Sequence, residues 1–387
     1  MTSEEWRNIM QSYSLQSKSI RNKMNHIKFA IRFLIILFFT LFSLLSAQGL
    51  KYGKVTFQSS DADLNRIFEW AKKQALAYAF ENDPVGLWYE AALPGREAFC
   101  MRDVSHQSMG AHTLGLEAYT KNMLREFAEN ISESKDWCSF WEINRYALPP
   151  RVDYYNEDEF WYNLPANFDV LDCCYRMYTW TGDRDYLEDP VFLDFYGKTV
   201  YDYVEKWDLS LDKIMKRERI MNIRGEKDTD NRLKMARGIP SYDEGGDQFV
   251  VALDQLCVQK AGYLAYARIQ QLRGSGEEAK RFLERSKKIE EFIDRFWWDE
   301  ENQRYFSHLN LNYEPVFQGI SRAVPYFRAT SDENKIMQII DDIVKESINR
   351  STNEKLFATH QEISWVRIPV GAGETINVEV PKRRKKK

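Results

Sequence analysis

A polar cluster lies between Pro94 and Gln107, where the sequence reads PGREAFCMRDVSHQ. It supplies four side chains that could hold a ligand: Arg102, Asp103, His106 and Gln107. A helical pattern from Ser108 to Ala118 follows at once, so the cluster is predicted to lie where a loop enters a helix. A guanidinium and a carboxylate each offer two hydrogen-bonding groups in fixed geometry, which suits paired sugar hydroxyls. Arg102 and Asp103 therefore predict sugar contacts. The alternative is a buried ion pair that ties the loop to its helix.

A second segment, PSYDEGGDQ from Pro240 to Gln248, carries carboxylates in a glycine-flanked turn directly before a helix. A carboxylate in such a turn can point into a cavity, and an aromatic neighbour can raise its pKa so that it serves as a general acid. Glu244 and Asp243 are therefore the candidate catalytic residues. The alternative is that these acids, or Asp247, accept hydrogen bonds from the free amides at the start of the following helix.

A third segment is the long loop from Trp137 to Pro165, which is rich in aromatic and acidic residues. Four of its side chains are candidate sugar ligands: Trp141, Glu142, Arg145 and Trp161. Flat aromatic faces stack on sugar rings, although they also fill protein cores. The loop is predicted to contribute to one carbohydrate site together with Arg102 and Asp103.

The composition argues against several other classes of function. The net charge of −4 over 387 residues gives no overall field that would favour nucleic acid or an anionic membrane. The five histidines are scattered without metal-ligand spacing, and no glycine-rich phosphate loop precedes a helix. We therefore expect no metal, no cofactor and no nucleic-acid partner. The five cysteines lack CxxC spacing, which predicts buried free thiols, with one disulfide as the alternative.

The N-terminal segment has the pattern of a targeting sequence. Lys28 and Arg32 precede an apolar run from Phe33 to Leu45, and small residues follow it. That order is typical of a secretory signal peptide, and the run is shorter than the about 20 apolar residues of a membrane span. We expect residues 1–47 to be a signal peptide with an extended N-terminus, translation to start at Met24, and the mature chain to be periplasmic or extracellular without stable membrane insertion.

After one short strand predicted over Tyr52–Phe57, the apolar spacing predicts helices joined by short turns. The predicted helices run from Asp61 or Asp63 to Tyr78, from Ser108 to Ser132 with a break near Tyr119, from Ala166 to Trp180, from the turn Thr181-Gly182-Asp183 to Trp207, from Phe249 to Leu272, from Glu277 to Phe296, and onward from Ser331. The repeat length is irregular, which argues against a solenoid. A toroid of helical hairpins with a site on its loop face fits the pattern better.

Two stretches carry a resemblance to a known family: AGYLAYARIQQLRGSGEEAKRFLERSKKIEEFIDRFWWDEENQRYFS and YRMYTWTGDRDYL. They resemble hairpins of the six-hairpin (α/α)6 glycosidases, a clan that includes trehalases, α-L-rhamnosidases and processing α-glucosidases. The resemblance spans roughly Phe57 to Asn349 and implies an all-α toroid-like barrel that acts on carbohydrate. In that clan an Arg-Asp pair after an early hairpin holds the sugar, which Arg102 and Asp103 match. A loop acid before a middle helix protonates the leaving oxygen, and Glu244 or Asp243 stands at that place.

The sequence also departs from the clan. The clan's barrel has twelve helices, whereas about eight are predicted here, so we expect an incomplete barrel, truncated or internally deleted. The predicted organisation is a helical domain over residues 48–350, a short β segment over 351–380 and a basic tail over 381–387. The clan's base, which activates water, comes from the region that is missing here. Glu362 is the one late acid in a suggestive context, and its alternative is a strand residue without a role.

Three functional hypotheses follow. The first is an inverting glycoside hydrolase, with Glu244 as the acid and with Arg102, Asp103, Trp141 and Glu142 holding the sugar. The second is a catalytically incomplete, carbohydrate-binding relic of such an enzyme. The third is a helical scaffold for a protein partner, which predicts an exposed apolar face where the missing hairpins would pack.

Overall fold

The computed structural model describes residues 55–92, 95–217, 237–243, 249–319, 321–357, 362–369 and 375–382, which fall in one compact unit, Val55–Lys387. The predicted signal peptide lies outside these ranges, and so does most of the predicted basic tail. Across the described ranges, no helix combines the length and the apolar character that a membrane crossing requires.

The described chain is mainly helical, as predicted. Its α-helices are α1 (Ala62–Ala77), α2 (Met101–Thr113), α3 (Glu117–Glu129), α4 (Pro165–Thr181), α5 (Asp185–Glu188), α6 (Pro190–Lys198), α7 (Val204–Lys206), α8 (Leu253–Leu272), α9 (Gly276–Phe296), α10 (Ala323–Tyr326) and α11 (Glu333–Phe357). A π-helical turn, Thr199–Tyr203, joins α6 to α7.

The helices form hairpins in two layers. Helices α2, α4 and α8 lie side by side in an inner layer, because α4 packs against both α2 and α8. Helices α3 and α9 pack on the outside of α2 and α8, and α6 packs on α3. The turn after α4 places Gly182 at φ +70°, in the left-handed region that favours glycine, as expected for a Thr-Gly-Asp turn. The predicted all-α fold class of helical hairpins is confirmed.

The two layers differ in which faces they bury. Helix α8 is buried around most of its circumference, whereas α9 buries a single stripe of five residues: Ala279, Phe282, Ser286, Ile289 and Ile293. A helix buried on all sides belongs to a core, and a helix with one apolar stripe covers it. Gly262 lets α8 approach α4 closely, since a Cβ there would lie 2.9 Å from the Cβ of Phe168. Phe296, which the helical pattern places inward, is instead 53% exposed at the end of α9.

Short strands lie in the segments that connect the helices. They are β1 (Ala79–Asp83), β2 (Gly86–Tyr89), β3 (Ala98–Cys100), β4 (Glu142–Asn144), β5 (Tyr154–Asn156), β6 (Glu159–Phe160), β7 (Tyr162–Asn163), β8 (Arg237–Ile239), β9 (Phe249–Ala252), β10 (Trp298–Asp299), β11 (Arg304–Tyr305), β12 (His308–Asn310) and β13 (Pro315–Val316). Strands β3 and β4 pair in antiparallel fashion, and β7 and β8 in parallel. Strand β12 lies between β13 and β9.

Two predicted helix boundaries are wrong. Helix α2 begins at Met101 rather than Ser108, because its buried stripe starts with Met101, Val104 and Ser105 directly after β3. Helix α8 begins at Leu253 rather than Phe249, because the apolar residues before it pair as β9 with β12. An apolar run of four residues fits a strand or a helix equally well, so the tertiary pairing decides. The predicted strand over Tyr52–Phe57 is absent from its described part, residues 55–57.

Helices α1 and α11, at either end of the described hairpins, leave several apolar side chains exposed. Helix α1 starts at Asp61, whose carboxylate accepts hydrogen bonds from the amides of Asp63 and Leu64, as expected for an N-cap. Its apolar residues, which are predicted to lie on one face, include the exposed Leu64 and Ile67. Helix α11 exposes Met337, Ile340 and Val344 in the same way.

The C-terminal part differs in detail from the predicted boundaries. Helix α11 continues to Phe357, beyond the predicted end of the helical domain at residue 350. Strands β14 (Glu362–Pro369) and β15 (Thr375–Lys382) then form an antiparallel hairpin, with Glu362 as its first strand residue, opposite Lys382. All five cysteines are buried free thiols, as predicted.

Candidate functional site

Strands β3 and β4 hold the start of α2 in place. The amide of Met101 donates to the carbonyl of Trp141 at 3.1 Å, and the amide of Cys100 donates to the carbonyl of Ala91 at 2.8 Å. These bonds fix the direction in which α2 leaves the sheet. Arg102 and Asp103 therefore lie in the first turn of a helix, not in the loop where they were predicted.

Arg102 lies against two neighbouring aromatic rings, those of Trp141 and Tyr242. Its Nη1 donates to the carbonyl of Tyr242 at 3.2 Å, and its guanidinium carbon lies 5.9 Å from the ring of Trp141 and 5.3 Å from that of Tyr242. The nearest approach of its Nε to the Asp103 carboxylate is 3.8 Å, and about a third of each side chain is exposed. The two residues therefore do not form a tight buried ion pair, and the exposed part of each is accessible to a ligand.

A cavity of about 610 Å³ opens beside Arg102. Its polar lining includes Arg102, Tyr242, Asp243, Asp254 and His308. The predicted acid segment thus borders this cavity through Asp243, whereas Glu244 and Asp247 lie outside the described residues. A volume of this size is in the range of small-ligand sites in proteins.

Asp254, in the first turn of α8, anchors the segment that carries Asp243. Its Oδ2 accepts hydrogen bonds from the Ser241 hydroxyl at 3.0 Å and from the Tyr242 amide at 2.6 Å. Burial raises the pKa of Asp254 to about 6, and these donors oppose the rise. Asp254 is not predictable from the sequence, since nothing in the local pattern distinguishes it from an acid in an ordinary first helical turn.

His106 extends the site by one helical turn. Its Nε2 lies 2.7 Å from Oδ2 of Asp169, which also accepts from the Tyr242 hydroxyl at 2.9 Å. Burial lowers the pKa of His106, but the Asp169 carboxylate outweighs it and raises the pKa above the ordinary value. Asp169 is fully buried in α4. It was not predicted as a site residue. In the sequence, Asp169 could have been recognised as an acid that stands among the apolar residues of a predicted core helix. Gln107, beside His106 on α2, is exposed.

Glu142 and Arg145, predicted as sugar ligands, are engaged in internal ion pairs. Glu142 is 1% exposed and accepts from Nη1 of Arg96 at 2.5 Å, and burial together with the Asp153 carboxylate raises its pKa. Arg145 pairs with Asp83 at 2.5 Å and with Glu97 at 2.9 Å. Both placements favour a role in holding the loop face together.

The two predicted tryptophans differ in placement. Trp161 is fully buried and donates from Nε1 to Oδ1 of Asn163 at 2.7 Å, so its ring is part of the core. Trp141 is nearly buried but keeps its ring beside Arg102 and Tyr242. The structure therefore brings Arg102, Tyr242 and Asp243 together at one cavity. Asp103 lies next to Arg102, and the Trp141 ring lies beside Arg102 and Tyr242, but neither residue lines the cavity. The structure leaves Glu142, Arg145 and Trp161 in packing positions.

No group of three or more histidine, cysteine or acidic side chains in the described part of the chain could hold a metal ion. The side chains that line the cavity can supply hydrogen bonds, aromatic contacts and proton transfer.

Comparison with known proteins gives fold-level relatives. No protein-family model matches the chain, and no curated protein matches it. A metal-independent α-mannosidase of Streptococcus pneumoniae, solved with α-1,6-mannobiose, superposes with a TM-score of 0.51 at 12% identity over 70% of this chain and 70% of that chain. At this identity the likeness shows the fold alone.

Two further structures give weaker superpositions. The GH78 family rhamnosidase of Bacillus sp. GL1 has a TM-score of 0.49 at 13% identity, over 74% of this chain and 26% of that chain. The cellobiose 2-epimerase of Spirochaeta thermophila has a TM-score of 0.39 at 10% identity, over 75% and 71% of the two chains. The chain thus spans about a quarter of the length of that rhamnosidase. The predicted resemblance to the six-hairpin glycosidases, with their toroid-like helical fold, is confirmed at the level of fold.

Proposed function

We propose that this protein is a carbohydrate-active protein that binds sugar in the cavity beside Arg102. The observation that carries the proposal is the position of Arg102 against the neighbouring rings of Trp141 and Tyr242, on a cavity of about 610 Å³ that Asp243, Asp254 and His308 also line. An aromatic face packs against a pyranose ring, while charged donors and acceptors at its edge bind the hydroxyls. The fold shared with an α-mannosidase supports this proposal.

The finer proposal is hydrolysis of a glycosidic bond with inversion. In this mechanism one carboxylic acid protonates the leaving oxygen, while a carboxylate on the other side of the sugar takes a proton from the attacking water. We assign the acid to Glu244, which directly follows Asp243 in the sequence; Asp243 itself lines the cavity. Asp254 would act as a positioning residue, because it holds Ser241 and Tyr242 just before the acid. The base is unassigned.

Substitution of Arg102 by alanine tests the binding site. We expect the affinity for a bound sugar to fall roughly 10- to 100-fold, since losing a hydrogen bond to a charged group costs about 1.5–3 kcal/mol. Isothermal titration calorimetry against a panel of mono- and disaccharides, including α-1,6-mannobiose and cellobiose, measures the affinity. The same panel assayed for reducing-sugar release separates a hydrolase from the carbohydrate-binding relic.

Arg125→Ala is the matched control for this experiment. Arg125 lies on α3, pairs with Glu129 and Asp189, and does not line the cavity. The control should bind sugar as the wild type does. Unchanged affinity in the Arg102 variant would contradict the assignment of the cavity. Failure of the folded wild-type protein to bind any sugar of the panel would contradict the proposed function.

The exposed apolar residues of α1 and α11 favour a second candidate function, a scaffold for a protein partner. Leu64, Ile67 and Trp70 on α1 are 48%, 56% and 64% exposed. Exposed large apolar side chains on one helix mark an interaction surface more often than isolated ones do. This candidate predicts a folded protein without sugar affinity.

We also propose that the protein is exported, on the basis of the signal-peptide pattern over residues 1–47. Mass spectrometry of the mature N-terminus after expression in a bacterial host would check this proposal. A chain that begins near Gln48 supports it, and a chain that retains residues 24–47 contradicts it.

A further inference from the structure

A second cavity, also of about 610 Å³, borders α2 at His106 and Gln107. Tyr78, Tyr89, Glu90, His106 and Gln107 form its polar lining. The rest is formed by small and apolar residues of α1, α2, the turn after α2 and the segment after β2: Ala75, Ala92, Gly110, Ala111, Leu114 and Leu116. Glu90 lies directly after β2. Glu90 belongs to none of the three predicted polar segments, and it has no role in the proposed mechanism.

The Glu90 carboxyl accepts no hydrogen bond of regular geometry from the described residues, although the amides of residues 96–98 lie near it. Both of its oxygens are buried, and neither has a hydrogen bond. Burial raises the pKa of Glu90 to about 7 and the Glu97 carboxylate adds to the rise, while the nearby amides of residues 96–98 oppose it. An unsatisfied buried carboxyl is unfavourable, so it is expected where a ligand supplies the missing hydrogen bonds.

The neighbours of Glu90 favour a neutral ligand rich in hydroxyl groups. His106 lies on the same cavity, and the Asp169 carboxylate favours its protonated form, which would repel an ammonium group. Gln107 offers a neutral amide that can donate and accept. Tyr78 and Tyr89 add aromatic faces, which suit a sugar ring.

The second cavity is close to the first. Arg102 lines the first cavity and His106 lines the second, and the two residues are four positions apart on α2. Side chains at i and i+4 are neighbours on one face of a helix, about one turn of 5.4 Å apart. A ligand that occupies both cavities must therefore extend along this face.

We propose that Glu90, His106 and Gln107 form a second sugar subsite, and that the ligand is an oligosaccharide of at least two sugar units. This inference rests on the proposed function. Arg102 binds one unit, and the carboxyl of Glu90 binds hydroxyls of the next. Glu90 is thus a specificity-determining residue for ligand length.

The test compares disaccharides with monosaccharides. Calorimetry at pH 7 measures the affinities of α-1,6-mannobiose, cellobiose, mannose and glucose for the wild-type protein and for Glu90→Gln. We expect Glu90→Gln to weaken disaccharide binding about 10-fold and to leave monosaccharide binding unchanged. Glu126→Gln is the matched control, because Glu126 is a half-buried acid on α3 with a raised pKa and lines neither cavity.

The outcomes separate the two proposals. Unchanged disaccharide affinity in Glu90→Gln, with sugar binding otherwise intact, overturns the subsite but leaves the proposed function. A wild-type protein that binds no sugar of the panel overturns both. Equal losses for mono- and disaccharides also overturn the subsite.

Stability measurements exclude a purely structural role for Glu90. Because its folded-state pKa is raised, its contribution to stability is full below the ordinary pKa and is lost as the pH rises towards about 7. Glu90→Gln should therefore be at least as stable as the wild type at pH 8 in urea unfolding. A variant that is less stable at pH 8 would show that the carboxylate holds the amides of residues 96–98, which overturns the subsite.

Discussion

Replacing Glu244 by glutamine is expected to reduce glycoside hydrolysis by about 10²- to 10⁴-fold without affecting the fold. Glutamine has nearly the same shape as glutamic acid, but its amide cannot protonate the leaving oxygen. The loss should be largest for sugars with alkoxide leaving groups and small for nitrophenyl glycosides, since a nitrophenolate leaves without protonation. Steady-state rates on both substrate types, with circular dichroism of the same samples, measure the effect.

Asp243→Asn is the control that distinguishes the two candidate acids. Asp243 lines the Arg102 cavity and its amide donates to the Ser241 hydroxyl at 2.8 Å. If Glu244 is the acid, Asp243→Asn should keep the rate difference between the two substrate types. Full activity of Glu244→Gln on alkoxide leaving groups would exclude Glu244, and a selective loss in Asp243→Asn would transfer the role to Asp243.

Gly238→Ala is expected to destabilise the protein by about 3 kcal/mol or more. Gly238 has φ +84°, and a Cβ at this position would lie 2.1 Å from Cζ3 of Trp207. The Trp207 ring is buried, and its Nε1 donates to the carbonyl of Asp136, so it cannot move aside cheaply. The backbone strain and the steric overlap therefore add. Urea unfolding followed by tryptophan fluorescence measures the free energy of unfolding.

Gly182→Ala separates the cost of the backbone strain from the cost of the steric overlap with Trp207. Gly182 has φ +70°, similar to Gly238, but no atom lies within 4 Å of the place that a Cβ would take. Its substitution should cost only the backbone strain, about 1 kcal/mol. Equal losses in the two variants would mean that Trp207 accommodates the methyl group and that the overlap at Gly238 is not the cause.

The local sequence pattern was sufficient to predict helices that bury only one face and turns that contain a glycine at positive φ. Helix α9 was predicted nearly to the residue, because its apolar stripe alternates with charged residues. The turn between α4 and α5 was predicted from Thr181-Gly182-Asp183, since a glycine at positive φ ends a helix. These features depend on residues within a few positions of each other.

The candidate site was predicted only in part. The sequence singled out Arg102, Asp103 and Trp141 by residue type, and the structure brings Arg102 and Trp141 against Tyr242 of the acid segment. The hydrogen bond from Arg102 to Tyr242 spans 140 positions, and that from Tyr242 to Asp169 spans 73. Contacts between residues so far apart in the sequence cannot be predicted from the local spacing of residue types. Glu142 and Trp161 have the residue types of sugar ligands, yet packing places them inside.

The sequence by itself therefore determined the class of fold, the hairpin pattern and two of the polar segments at the cavity, those with Arg102 and with Asp243. Only the tertiary structure decided where α2 begins, which acids are buried, and that Glu90 faces a second cavity. The physical reason is that helix periodicity and turn chemistry are local, whereas burial and ion pairing depend on which distant segments pack together. Helix α8 of the inner layer is buried around most of its circumference, so its apolar pattern does not indicate which face packs against which neighbouring helix.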